Sequence, residues 1–153
     1  KKKKKMSIKL ERVAELSGLP MSWRAYATDG SRYFEEGKFE DAMRCFLRAE
    51  EMVGEGDNET LVCAVYHNLG NMYLLGQGCE ADAARAVAFY KKSVARGFEP
   101  SFHNLRTIYV NGHGNVKADA ERVKEMNDQW NNRSVTLSVP EEAMPRFIAV
   151  ADE

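Results

Sequence analysis

The tripeptide His67-Asn68-Leu69 returns unchanged as His103-Asn104-Leu105, 36 residues further on. The same shift carries Tyr73 onto Tyr109, Gly76 onto Gly112, Gly78 onto Gly114, Ala84 onto Ala120 and Val87 onto Val123. A period of this size is the signature of helical hairpins stacked side by side. The stretch from residue 64 to 99 reads as one such hairpin. Val65, Leu69, Met72 and Tyr73 recur at spacings of three and four, an apolar helical stripe. Gly76 and Gly78 interrupt it, and Asp82 can cap a second helix. That helix carries the stripe Ala83, Ala86, Val87, Tyr90 and Val94, and Gly97 can end it.

An earlier copy precedes it. Ser22 can cap a helix with Trp23, Tyr26, Ala27, Gly30, Tyr33 and Phe34 on one side. After Gly37 a second helix presents Phe39, Ala42, Met43, Phe46, Leu47 and Ala49. Gly30 aligns with Gly70 at an offset of 40 and Phe46 with Tyr90 at 44, so the second hairpin has a turn four residues longer. Small residues at Gly30 and Ala42 predict a close helix approach, with large Tyr33 and Phe46 filling the space beside it, and Gly70 is expected at a close crossing as well. In the third copy Pro100 suits a first helical turn and Asp119 a cap, with Ala120, Val123, Met126 and Trp130 facing inward. This copy departs from the others: Arg106 stands where Gly70 does, and the register after Gly114 is open by one residue.

The organisation expected is therefore a lysine run at 1–5, a capping helix within 6–20, three repeats at 21–56, 57–98 and 99–132, and a tail or capping segment at 133–153. Lys1–Lys5 is an engineered tag, part of a longer native chain, or a nuclear-import signal. Asn58 or Thr60 can cap the helix that follows the 54–58 connector. The stripes predict about seven or eight helices and no sheet.

Tyr26, Gly30, Tyr33, Gly37, Ala42, Phe46 and Ala49 give the first hairpin the pattern of a tetratricopeptide repeat, which it resembles. The second, with Leu69-Gly70, Tyr73, Gly76, Gly78, Asp82, Arg85-Ala86 and Phe89-Tyr90, resembles the longer-turned Sel-one-like repeat. The likeness runs from about Trp23 to Trp130. It implies an all-α, right-handed superhelix (a solenoid) of about three helix-turn-helix repeats with capping helices at both ends. It also implies a concave face that holds a peptide or a protein domain.

Charge and composition narrow the function. The net charge is −1, and removing the five positive charges of Lys1–Lys5 leaves −6 on the rest. That balance argues against a nucleic-acid surface. No apolar run is long enough to span a membrane. Cys45, Cys63 and Cys79 form no Cys-x-x-Cys pair, and free thiols suit a reducing, cytoplasmic setting. No dense ligand set for zinc is present, and His103 and His113 lie ten apart across a glycine turn. No metal or other cofactor is expected. Cys63, His67 and Asn71 fall one turn apart on one helical face, an order that mimics a thiol, an imidazole and an amide. Against catalysis, Cys63 sits in an apolar helix, where a thiol is inert. No serine is followed three residues on by lysine.

Asparagine is a poor residue for a helix interior, so Asn68 and Asn104 need a reason. One reason is structural, an amide satisfying a group inside the fold. The other is functional. In the repeats resembled, asparagines on inner helices hold the backbone of an extended peptide. If the first helix of each hairpin lies inside, the groove is lined by Arg24, Ser31, Phe34, His67, Asn68, Asn71, Leu74, His103, Asn104, Thr107 and Val110. His67 and His103 are equally readable as half-buried helix residues. The function expected is a protein-protein interaction module, an adaptor, scaffold or chaperone-like protein, monomeric or weakly dimeric and not an enzyme. The alternatives are an immunity or antitoxin-type inhibitor, a secretion chaperone of one dedicated partner, and a small cysteine hydrolase.

Overall fold

The computed structural model describes residues 21–57 and 60–133. Among them are six helices and no strand: α1 (Trp23–Glu35), α2 (Phe39–Met52), α3 (Thr60–Leu75), α4 (Ala83–Val94), α5 (Glu99–Asn111) and α6 (Ala120–Asn132). The capping helix expected within 6–20, Asn58 and the segment from 134 onward lie outside the described residues. Each helix packs on the next in chain order, and α1 also meets α3.

The helix starts follow from the caps. Ser22 Oγ accepts from Ala25 N at 3.1 Å, and Pro100 occupies the first turn of α5. Asp82 and Asp119 are near-identical twins. Their backbones lie at φ −148°, ψ 96° and φ −147°, ψ 96°. Asp82 accepts from Arg85 N at 3.2 Å, and Asp119 from Arg122 N at 3.1 Å. The amide of Asp82 donates to Tyr73 O and that of Asp119 to Tyr109 O, both at 2.8 Å. The repeat offset is therefore 36 up to the third turn and 37 after it. The extra residue is taken up where His113 and Val116 exchange two backbone hydrogen bonds of 2.8 Å.

Residues 36–38 join α1 to α2, whereas 76–82 join α3 to α4, so the second turn is the longer one. Inside both hairpins a glycine faces a ring. A Cβ built on Gly30 would lie 2.8 Å from the Phe46 ring, and one on Gly70 would lie 2.6 Å from the Tyr90 ring. Two helix backbones can approach so closely only where no side chain intervenes. Arg106, at the equivalent place on α5, is exposed, so the third hairpin lacks this slot.

Burial is uneven. Every residue of α3 from Val62 to Leu74 is buried, so this helix has no solvent face. No residue of α6 is buried. Neighbouring hairpins are joined at their turns. Gly78, at φ +74°, lies against the start of α2, where a Cβ would come within 2.3 Å of Phe39 O. One hairpin later, Asn115 bonds the start of α4: its Oδ1 accepts from Ala84 N and its Nδ2 donates to Asp82 Oδ1, both at 3.0 Å.

Candidate functional site

The polar residues singled out along the inner helices divide into two sets. His67, Asn68, Asn71 and Asn104 are at most 1 % exposed, and Leu74 is buried with them. Their surroundings explain why the chain tolerates asparagine in helix interiors. Asn71 Oδ1 accepts from the Tyr90 hydroxyl and, at 3.1 Å, from Asn104 Nδ2. Asn104 Nδ2 also lies 3.5 Å from the Tyr90 oxygen. One residue from each of α3, α4 and α5 thus meets at a single buried point. Burial pushes the Tyr90 phenol far above its ordinary value, which keeps its proton on as a donor.

A second buried pair lies one turn away. His67 Nδ1 is 2.7 Å from Ser101 Oγ, and the His67 ring centroid is 5.6 Å from those of Tyr90 and Phe98. Below it, Ser93 Oγ donates to Cys63 O at 3.1 Å. Asn68 differs from its neighbours: both amide atoms are buried and have no hydrogen-bond partner among the described residues. Asn71, Asn104 and His67 knit α3 to α4 and α5, and with Asn68 they do not line an open face.

The remaining candidates are accessible. His103 is exposed, with Nε2 3.2 Å from Glu99 Oε1, and Val110 is 50 % exposed. Thr107 Oγ1 donates to His103 O at 2.9 Å. Arg24 is exposed with its guanidinium 4.5 Å from the Trp23 ring centroid. Ser31 is half-buried and donates to Ala27 O at 2.8 Å. Phe34, also half-buried, lies 5.2 Å from the Phe39 ring.

The thiol candidate is placed in the core. Cys63 is 1 % exposed, and burial pushes its thiol up to about 11, against a smaller opposing effect from Arg96. A thiol held protonated at neutral pH is a poor nucleophile. His67, one turn on, is turned to Ser101. Cys45 and Cys79 likewise form no disulfide among the described residues. Among the described residues no three His, Cys, Asp or Glu side chains gather as a metal site, and no helix is long and apolar enough to cross a membrane.

Sequence reasoning assigned no binding role to a cleft of about 730 Å³ between α4, α5 and α6. Its walls come from three separate elements, so no local motif marks it. The available signal is indirect: Arg106 in the glycine position, and Trp130 on a helix with no paired aromatics.

No family model matches the chain, and no solved structure matches it.

Proposed function

We propose that the chain is a protein-protein interaction module, built as a right-handed superhelix of three tetratricopeptide or Sel-one-like hairpins. The observation that carries this reading is the repeated junction between hairpins. Gly78 of the second turn rests on the start of α2, and Asn115 of the third turn bonds the start of α4. A junction used twice is what a solenoid needs to propagate. The matched slots, Gly30 on Phe46 and Gly70 on Tyr90, give the same construction within the first two hairpins.

A module of this kind binds through exposed side chains, while the buried amides hold its shape. His103, Thr107 and Val110 on α5, with Arg24 on α1, are the candidate residues that a partner can reach. The core placement of Cys63 speaks for binding rather than thiol chemistry. The three cysteines, none in a disulfide among the described residues, suit a reducing compartment such as the cytoplasm.

Photo-crosslinking tests the reading. A crosslinker placed at Val110 or at Arg24 in the full chain should trap the same discrete protein. Recombinant versions of that protein should then bind the purified chain saturably. Absence of any trapped protein at both positions, with the chain folded, overturns the proposal. Sedimentation in the absence of partner should give a monomer or a weak dimer.

A further inference from the structure

We infer that the cleft between α4, α5 and α6 is the docking site for an acidic peptide segment of a protein partner, anchored by an aromatic or branched aliphatic side chain. The inference rests on the binding-module reading and names the chemistry of the partner.

The cleft exists because the third hairpin is built differently. Arg106 replaces the glycine that lets α3 and α4 approach, and no residue of α6 is fully buried against α5. The Phe102 and Trp130 rings stack at 4.4 Å with an interplanar angle of 12°. Val123, Met126 and Trp130 of α6 remain only half-buried. Phe102, Leu105, Tyr109, Met126 and Trp130 form an apolar floor. A floor of this kind, in a cavity of about 730 Å³, is far larger than a lone inorganic anion requires and fits a side-chain anchor.

The rim supplies the charge. Lys91, Arg96, Arg122 and Arg133 surround the floor, against the single carboxylate of Glu125. This cationic collar stands on a chain that carries −6 from Met6 onward, so it is a local departure from the average. Among the described residues no carboxylate lies within ion-pair distance of Lys91, Arg96 or Arg133. Arg122 has only the longer pair to Asp119, 3.8 Å. The Nε atoms of Arg96 and Arg133 are both buried without an acceptor. Their Nη1 atoms are turned to backbone carbonyls, those of Lys92 and Trp130. With Nη1 turned to a carbonyl and Nε buried, Nη2 is the donor that each guanidinium leaves for a carboxylate in a charge-assisted hydrogen bond. Arg133 also lies 3.4 Å from the Trp130 ring centroid, so it spans the boundary between floor and rim. Apolar depth and cationic lip together call for carboxylates flanking a hydrophobic anchor.

The test is fluorescence anisotropy on the full chain with a synthetic peptide in which glutamates flank a phenylalanine and a leucine. Two controls replace the glutamates by lysines or the apolar pair by serines. The acidic apolar peptide should bind saturably, and each control at least about tenfold more weakly. The exposed double variant Lys91→Glu with Arg122→Glu should abolish binding while melting as the wild type does. Arg96→Gln should weaken it about tenfold. Equal binding of either control, unchanged binding by the double variant, or equal binding of an oligouridine RNA overturns the inference. So does binding that develops only when Glu141, Glu142, Asp152 and Glu153 are neutralised together, which would make the chain's own end the occupant. The crosslinking at Val110 and Arg24 reads positions outside the cleft. A trapped partner whose binding ignores the cleft variants therefore removes this inference and leaves the binding-module reading standing.

Discussion

Asn115 bonds Asp82 across the junction between the second and third hairpins, donating from Nδ2 to Oδ1 at 3.0 Å. The same amide accepts from Ala84 N, so one side chain closes the start of α4 from the following turn. Asn115→Ala removes both bonds and should lower stability by about 0.5–1.5 kcal/mol. Thermal melting followed by circular dichroism checks this, and an unchanged melting temperature would show that the junction carries no weight.

The same contact sets an acid dependence. The Asn115 amide, and then Arg85 N, hold the Asp82 carboxyl below its ordinary value of 3.8. A carboxylate depressed in the folded state stabilises fully above its unfolded value, and that contribution is lost as pH falls through the folded value. Melting temperatures between about pH 5 and pH 2 should therefore fall more steeply for the wild type than for Asp82→Asn. Parallel curves would contradict the assignment.

Gly70 should not accept even one methyl group. In an exposed helix, alanine for glycine gains about 1 kcal/mol. Here the new Cβ would lie 2.6 Å from the Tyr90 ring, and that ring is fully buried and cannot swing away. Gly70→Ala should thus be destabilising, and Gly70→Leu should cost about 1–3 kcal/mol through overpacking. Denaturant melts of both variants decide it. Stabilisation by alanine would mean that the slot is looser than these distances allow.

Two neighbouring asparagines should respond in opposite ways to the same change. Asn71→Leu strands the Tyr90 hydroxyl and the Asn104 amide, and should cost about 1–3 kcal/mol. Asn68 has no partner to strand among the described residues, so Asn68→Leu replaces an unsatisfied buried amide by an apolar group of similar size. That change should be neutral or stabilising. Equal losses in urea titrations would refute the distinction.

Cys63 should be silent towards Ellman's reagent at pH 8 until the chain unfolds, because burial pushes its thiol up to about 11 and leaves it 1 % exposed. Cys79, less buried though also raised, should react first. Mass-spectrometric mapping of the labelled cysteine distinguishes them, and rapid native labelling at Cys63 would revive thiol chemistry.

Much of the architecture was legible because it is written in local pattern. The stripes gave the helices, Ser22, Asp82 and Asp119 gave their starts, and Gly30 and Gly70 gave two close crossings. The facing direction of the amides was not legible. A polar residue on an inner helix occupies the same helical position whether it meets a groove or the next hairpin. The choice at His67 depends on how near Ser101 comes, which is a tertiary distance. The cleft was invisible for a related reason. Its cations come from the end of α4, the start of α6 and the residue after α6, and nothing in the order of the chain brings them together.

The contact of Gly78 with Phe39 O separates shape from recognition. Main chain rests there directly on main chain, so the step from the first hairpin to the second is gauged by peptide geometry, with no side chain as a shim, whereas the next step uses the Asn115 side chain. Outward-facing residues of α2 and α4 can then be exchanged freely without re-aiming the surface that carries them. The positions that cannot be exchanged are the glycines, Gly78 at this junction and Gly30 and Gly70 inside the hairpins.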